Sequence, residues 1–100
     1  MLLDQFVETI YRPLRLRQRS PNSVRLHHQA VLRLAEHLER PPVVADLVDE
    51  LMLAAHLEAR AERRSPWTVE RERSSLLALA RLAWERGMIP RLPEIGRAHV

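Results

Sequence analysis

The chain has 100 residues, a formal charge of +3 and no cysteine. Its length fits one domain with a modest core, and the lack of cysteine excludes disulfides, thiolate metal sites and a cysteine nucleophile. It has neither an apolar run that could span a bilayer nor the N-terminal pattern of a signal peptide. We therefore expect a cytoplasmic protein with no membrane partner. Because the chain has two glycines and little β-branched alternation, we predict an all-α fold.

Charge is distributed unevenly along the chain. Residues 9–35 contain six arginines and no acid, residues 36–62 contain seven acids and two arginines, and residues 63–100 contain eight arginines and four acids. All 16 basic residues are arginine, whose planar fork matches phosphate and the edge of guanine. A total lack of lysine is nevertheless better explained by codon bias than by a binding preference. The basic blocks indicate where a polyanion would bind.

The first element is predicted to be a short helix over residues 2–12. Pro13 should end it, because proline disfavours the helical conformation in the residue before it. Residues 14–19 alternate arginine with other residues. We predict an extended loop that places Arg17 and Arg19 near a polyanion. A short strand and a merely solvated basic loop remain alternatives.

The second helix is predicted over residues 21–39, before the two prolines at 41 and 42. Its buried stripe comprises Val24, Val31, Leu34, Ala35 and Leu38. Its opposite face carries Asn22, Arg25, Gln29 and Arg33. His27 lies within the apolar stripe and His28 at its edge. Adjacent residues point about 100° apart on a helix, and no carboxylate has a ligating spacing, so both are interpreted as core histidines rather than metal ligands.

The third helix is predicted over residues 45–63. Asp46 is the expected cap, with Asp49 and Glu50 in the first turn, where negative charge is favourable. Its apolar surface is expected from Leu47, Leu51, Ala54, Ala55 and Leu57. Because this helix is rich in acids, it would repel a phosphate backbone, and we expect it to face away from the ligand.

The fourth helix has the clearest start and stop in the sequence. Ser65 can cap it, Pro66 fits its first position, and Gly87 suits the left-handed residue that closes a helix. Its buried stripe comprises Val69, Leu76, Leu79, Ala80 and Ala83. Its other side carries Arg71, Ser74 and Arg81. Residues 88–97 then read as an extended linker, because two prolines and a glycine oppose helix formation.

The starts of the second and fourth helices resemble each other. Residues 20–25 align with residues 65–70, and the apolar positions that follow also correspond. Two similar helices with basic outer faces suggest two prongs of one binding surface. The alternative, that Ser-Pro is a common helix start and occurs twice by chance, is equally open.

This layout resembles the N-terminal core-binding domain of tyrosine recombinases (the phage-integrase family), a four-helix orthogonal bundle of the SAM-like type. The corresponding segments are residues 3–7, 23–34, 44–47, 65–84 and 87–90. The chain departs from the family pattern at His27, where an aromatic residue is usual, and at Arg73, Leu79 and Leu82. The resemblance covers nearly the whole chain, and it rests on the ordered set of segments because no single motif is diagnostic.

The resemblance implies that the second and fourth helices grip duplex DNA. The residues carried over to face DNA are Asn22, Ser23, Arg25, Gln29, Thr68, Arg71 and Ser74 or Ser75. Arg17, Arg19, Arg33 and Arg64 would add phosphate contacts, which position a protein without specifying sequence. Trp67 would lie against sugar-phosphate or, as is more common, pack at the helix start.

The resemblance also implies a division of labour. Residues 1–89 would form the core-binding domain, and residues 90–100 a linker toward a catalytic domain. Catalysis belongs to that domain, so this chain should not be an enzyme and needs no cofactor. Tyr11 and the His37-x-x-Arg40 pattern are interpreted as coincidences. The expected partners are double-stranded DNA, the catalytic domain of the same parent chain and other recombinase protomers on DNA.

Two other classes of function stay open. A helical protein–protein interaction module would show no salt-dependent DNA affinity and would expose a sizeable apolar patch. A small enzyme using histidine and glutamate would show a concave pocket with perturbed titrating groups, and the sequence has no cluster that supports one.

Overall fold

The computed structural model describes residues 1–16 and 21–95, and within these ranges the chain is helical and has no strand. The elements are α1 (Leu3–Phe6), a π-helical turn (Val7–Tyr11), α2 (Arg12–Arg15), α3 (Pro21–Leu38), a 3-10 helix (Val44–Val48), α4 (Glu50–Ala61) and α5 (Pro66–Glu85). Leu2 and Val43 form an isolated antiparallel bridge. The all-α prediction is confirmed. Among the described residues, no helix is both long and apolar enough to cross a membrane.

The prediction that Pro13 ends the first helix is wrong, because the helical path continues to Arg15. The N–H of Arg12 donates to the carbonyl of Val7, five residues back, which makes the preceding turn π-helical. The N–H of Leu16 then donates to the carbonyl of Arg12 over 3.0 Å. Pro13 needs no N–H near the start of a new α-helical turn, and the widened π turn before it accommodates the break in hydrogen bonding.

The extended loop predicted over residues 14–19 is therefore wrong where the structure describes it. Leu14 and Arg15 are helical, and Leu16 is buried at the end of this segment. Arg17 and Arg19 lie outside the described residues. Arg15 is also not free to bind a ligand, because its guanidinium group donates to the carboxylate of Glu85 over 2.7 Å.

The two adjacent histidines of α3 have different environments. His27 is half-buried, with its ring 4.8 Å from that of Tyr11, and its Nδ1 lies 2.8 Å from the carbonyl oxygen of Ser23, to which it donates. Packing therefore explains His27, as predicted. Among the described residues, no group of three or more histidines and acids has the geometry to hold a metal ion.

His28 is not a core histidine, and that interpretation is wrong. Its Nδ1 lies 2.8 Å from Asp4 and its Nε2 lies 2.5 Å from Glu8. Partial burial alone would lower the pKa of His28, but the hydrogen bonds to Glu8 and Asp4 raise it above its ordinary value. Since both ring nitrogens face carboxylates, the protonated ring fits this position best. The sequence alone does not reveal these contacts, because the two carboxylates belong to the first helical segment, which is distant from His28 along the chain.

The C-terminus of α3 contains a backbone conformation that its residue does not favour. The helix ends at Leu38, one residue before the predicted end. Glu39 follows with a φ of 57°, in the left-handed region that residues other than glycine rarely adopt. This sharp turn, and not the two prolines further on, ends the helix.

Replacing Glu39 by glycine should therefore stabilise the protein. Glycine adopts this φ without the Cβ clash, so we expect the free energy of unfolding to rise by about 1 kcal/mol. Part of this gain is offset because glycine is also more flexible in the unfolded chain. Urea denaturation measures the change, with Glu39→Ala as the control that removes the carboxylate but keeps the Cβ. A stabilisation by alanine equal to that by glycine would refute the backbone explanation.

The third helix begins later than predicted. Asp49, and not Asp46, is the N-cap of α4, because its Oδ1 accepts the N–H of Met52 over 3.0 Å. Asp46 instead accepts the N–H of Val43 over 2.7 Å and pairs with Arg40 over 2.8 Å. The hydrogen bonds with Arg40 hold the pKa of the Asp46 carboxyl below its ordinary value. Asp46 therefore lies within the short 3-10 helix, and its carboxylate binds the N–H of Val43, the N-cap residue of that helix.

The later start changes which face of α4 is buried. Leu51 and Ala55, both predicted to be apolar contacts, are exposed, and 86% of the Leu51 surface is accessible. The buried residues of α4 are Leu53, His56 and Leu57. Of the predicted apolar residues, Leu47 and Leu57 are buried as expected, whereas the break at Asp49 leaves Leu51 and Ala55 exposed.

The fourth predicted helix is observed as α5, with the expected start and stop. The Oγ of Ser65 accepts the N–H of Thr68 over 3.3 Å, and Pro66 is the first helical residue. Gly87 has a φ of 74°, and the N–H of Met88 reaches back to the carbonyl of Ala83 over 2.8 Å. The last four residues of the predicted stripe are buried and the first is half-buried.

At Gly87, the free-energy cost of placing a side chain on a left-handed backbone can be measured without a contribution from steric clashes with neighbouring residues. A Cβ added at this position would have no heavy atom within 4 Å. Gly87→Ala should therefore lower the free energy of unfolding by about 1 kcal/mol through the positive φ alone. Gly87→Asn should cost less, since asparagine tolerates this conformation better. Urea denaturation of both variants tests this, and equal costs for the two would contradict it.

The main packing contact of the fold is between α3 and α5. The largest fully buried side chains are Phe6, Leu3, Leu34, Leu47, Leu53, Leu76, Leu79, His56 and Val7. The segment after α5 has no regular secondary structure, but Ile89, Pro93 and Ile95 are buried. The carbonyl of Val48 accepts a hydrogen bond from Arg91 over 3.2 Å. Residues 90–95 thus pack against the bundle, and their role as a linker stays a prediction.

Candidate nucleic-acid interface

A groove of about 250 Å³ runs between α3 and α5. Six residues predicted to contact DNA line it: Gln29, Arg33, Arg64, Thr68, Arg71 and Ser75. The remaining lining is Leu26, Ala30, Arg60, Trp67 and Glu72. The structure therefore brings half of the twelve predicted residues together at one surface.

The packing of the two helices explains this convergence. The buried stripes of α3 and α5 face each other, with Ala30, Val31 and Leu34 on one helix and Leu76, Leu79 and Ala80 on the other. Polar positions beside each stripe then meet along one edge of the contact. Helical periodicity fixes which positions these are.

A partly buried ion pair lines the groove and joins α4 to α5. The Nε and Nη2 of Arg60 donate to the two carboxylate oxygens of Glu72 over 2.8 and 2.7 Å. Their side chains are 15% and 13% exposed, and these hydrogen bonds raise the pKa of Arg60. This ion pair was not predicted from the sequence, because the two residues lie on different helices and no local spacing connects them.

Trp67 and Arg71 form a stacked pair one helical turn apart on α5. The guanidinium carbon of Arg71 lies 4.5 Å from the centre of the Trp67 ring, within the range of a cation–π contact. Trp67 is 67% exposed, so the expectation that it packs into the helix start is wrong. A tryptophan at this position is visible in the sequence, but its exposure is not.

Positive charge in the groove is only partly neutralised. Arg33 pairs with Glu36 over 3.1 Å, and Arg60 is matched by Glu72. Arg64 and Arg71 have no carboxylate partner within residues 1–16 and 21–95. The N-terminus of α5 adds the partial positive charge of a helix start. An anion placed here would meet two guanidinium groups that have no carboxylate partner among the described residues.

The remaining predicted residues lie elsewhere. Asn22 and Arg25 are exposed at the start of α3, where the guanidinium donates to the amide oxygen over 2.8 Å. Ser23 is half-buried beside them and Ser74 is exposed on α5. None of these four residues lines the groove. Arg17 and Arg19, as stated above, are outside the described residues.

The residues of the His37-x-x-Arg40 pattern have structural partners. The ring of His37 lies 5.1 Å from that of buried His56, at a steep angle. Arg40 binds Asp46. Tyr11 is buried against His27. These contacts agree with the interpretation that the pattern and the tyrosine have no shared chemical role.

No family model, curated protein or solved structure matches this chain. The functional inference therefore depends on the groove residues themselves and on the sequence pattern described above.

Proposed function

We propose that this chain binds duplex DNA through the groove between α3 and α5. In this proposal it is the core-binding domain of a site-specific tyrosine recombinase, with the SAM-like four-helix orthogonal bundle of that family. The two helices grip DNA during integration or recombination. The observation that carries the proposal is the convergence of six predicted DNA contacts, from α3, α5 and the turn before α5, on one groove.

The chemistry of the groove supports a phosphate partner. Arg64 and Arg71 offer guanidinium groups without a competing carboxylate, and arginine binds phosphate through two parallel hydrogen bonds. Gln29, Thr68 and Ser75 add amide and hydroxyl donors, which are common phosphate contacts in protein–DNA complexes. The positive charge would also steer association with a polyanion.

The volume of the groove favours binding to the edge of a polymer such as DNA over binding to a small molecule enclosed by the protein. A volume of about 250 Å³ is slightly below the range of roughly 300–1,000 Å³ that is typical of small-molecule pockets. Its one acid, Glu72, is neutralised by Arg60. The exposed acids Glu58 and Glu62 of α4 do not line it. These two carboxylates, which would repel phosphate, thus lie away from the proposed DNA surface.

The proposal divides the parent protein's work between domains. This chain holds DNA, a catalytic domain of the same parent chain cuts and rejoins it, and other protomers assemble on the same DNA. The segment after residue 89 leads toward the catalytic domain. The chain alone is then not an enzyme and acts without a cofactor in the cytoplasm.

One observation favours a second candidate, a helical protein–protein interaction module. Leu51 on α4 is 86% exposed, and Leu32 on α3 is about half exposed, at 51%. Single exposed apolar residues are common on protein surfaces, so this observation is weaker than the convergence in the groove. It nevertheless identifies Leu51 as the place where such a partner would bind.

Amide chemical shifts of the isotope-labelled protein, recorded while a short DNA duplex is added at low salt, test the proposal. We expect the largest shifts at Gln29, Thr68, Arg71 and Ser75, little change near Leu51, and reversal of the shifts by added salt. No shift at low salt in the folded protein would overturn the proposal. Shifts spread over all exposed arginines, without focus on the groove, would also overturn it.

A further inference from the structure

Arg71 differs from the other arginines of the groove in how it is held. Arg60 has its Nε and Nη2 donors on Glu72, and Arg33 has its Nη1 on Glu36. Arg71 instead has the central carbon of its guanidinium group over the Trp67 ring, 4.5 Å from the ring centre. A contact to the face of a ring leaves the donors at the edge of the guanidinium group free for a ligand.

Stacking also restricts where the Arg71 fork can point. A free arginine side chain loses about 2 kcal/mol of rotamer entropy when it is fixed. The Trp67 ring, one turn earlier on the same helix, already limits this freedom before any ligand binds. Arg64 has neither a ring contact nor a carboxylate partner among the described residues. An ordered fork suits a base edge, whose two acceptors have a fixed geometry, whereas the several oxygens of a phosphate accept a guanidinium group from many directions.

We propose that Arg71 reads the edge of a guanine base in the DNA major groove, and that Trp67 positions it to do so. The O6 and N7 acceptors of guanine match two guanidinium donors, the commonest specific contact between a protein and DNA. Arg64 contacts phosphate and carries no sequence preference. This inference rests on the proposed DNA binding and adds to it the base recognised and the residues that recognise it.

The first experiment selects bound duplexes from a pool with a randomised segment. We expect the wild-type protein to enrich a guanine at one position. In the selected duplex, deazaguanine, which lacks the N7 acceptor, should weaken binding of the wild type by about 10-fold. The same substitution should have little effect on Arg71→Ala, which has no donor for the N7 or O6 acceptor.

Two further variants separate positioning from charge. Arg64→Ala is the matched control, because it loses the same charge and donors, and it should keep the guanine preference. Trp67→Ala should lose most of the preference although Arg71 is still present, and Trp67→Phe should retain part of it because a ring face remains. Trp67 fluorescence, measured in a Trp84→Phe background, should change when the selected duplex binds. Circular dichroism confirms that each variant is folded.

The failure of this inference differs from the failure of DNA binding. If the wild type binds all duplexes equally, in a salt-dependent manner, the guanine assignment is overturned and DNA binding stands. If Arg71→Ala keeps the same preference as the wild type, the assignment to Arg71 is overturned. If Trp67→Ala keeps it, the positioning role is overturned. If no duplex binds at low salt, both proposals fail.

Discussion

Replacing Arg60 by alanine should lower the free energy of unfolding by about 3 kcal/mol, because breaking a buried ion pair leaves the other charge without compensation. Glu72 would then lie at the edge of the groove with its side chain 13% exposed and no arginine to neutralise it. The same change should weaken DNA binding, because an uncompensated carboxylate repels the phosphates.

Urea denaturation measures this loss, and Arg15→Ala is the matched control. Arg15 also pairs with a glutamate, Glu85, but both side chains are well exposed, so its removal should cost less than about 1 kcal/mol. Replacing both partners, as in Arg60→Met/Glu72→Leu, should recover most of the stability. If Arg60→Ala costs no more than Arg15→Ala, the structural role assigned to the pair is wrong.

The protein should lose stability in mild acid because of His56. This side chain is 1% exposed, and neither of its ring nitrogens has a hydrogen-bond partner among the described residues. Burial, together with nearby His37, lowers the pKa of His56 to about 4. The charges facing it are Arg60 on its own helix, His37 of α3 and Glu72 of α5.

The direction of the pH dependence follows from proton uptake. The unfolded chain protonates His56 near an ordinary pKa of 6.5, whereas the folded chain does so only near about 4. Between these values the unfolded state binds more protons, so the free energy of unfolding falls as the pH falls. The full difference corresponds to about 3 kcal/mol. Above pH 6.5 this contribution no longer changes.

His56→Leu isolates this effect from the other titrating groups. As the pH is lowered from neutral, the free energy of unfolding of the wild type should fall relative to that of the variant, by up to about 3 kcal/mol. His37→Gln, which removes the exposed neighbour of the ring pair, should leave most of the wild-type pH dependence. A parallel fall of wild type and His56→Leu across this range would assign the acid sensitivity to other residues.

Local signals in the sequence were sufficient for the long helices. The Ser65 cap and the positive φ at Gly87 lie within one turn of the helix that they bound, so residue type alone predicts both ends. The stripe of α3 was predicted in part, since Val31 and Leu34 are buried and the other three predicted residues are half-buried, whereas buried Ala30 was not predicted. These features depend on contacts between residues a few positions apart, which a sequence pattern shows directly.

Features that depend on neighbouring elements were not predicted. Nothing local distinguishes Asp46 from Asp49 as the cap of α4, and the choice decides whether Leu51 is buried or exposed. The π-helical turn before Pro13 and the two carboxylates that bind His28 depend on how the first segment packs against α3. Sequence periodicity does not contain that information.

The candidate site was predictable to the same extent. Its polar residues on α3 and α5 follow from helical spacing, because they flank the two buried stripes. Arg60 and Glu72 were missed, since their pairing crosses from α4 to α5. The exposure of Trp67, on which the positioning of Arg71 depends, is likewise a property of the folded chain.

DNA binding by the groove is tested most directly by fluorescence anisotropy of a labelled duplex across a salt series with two double variants. Arg64→Ala/Arg71→Ala removes two charges from the groove. Arg81→Ala/Arg86→Ala removes two charges from the C-terminal part of α5 and its C-cap residue, where both arginines are exposed and do not line the groove. Both variants therefore have the same net charge.

The wild type should bind with an affinity that falls steeply with salt. The groove variant should bind at least about 10-fold more weakly at low salt, with a slope of log affinity against log salt that is shallower by about 0.9 for each of the two arginines that contacts phosphate. The control variant should stay close to the wild type. Equal weakening by both variants, or no binding by the folded wild type at low salt, would contradict the assignment of DNA binding to the groove.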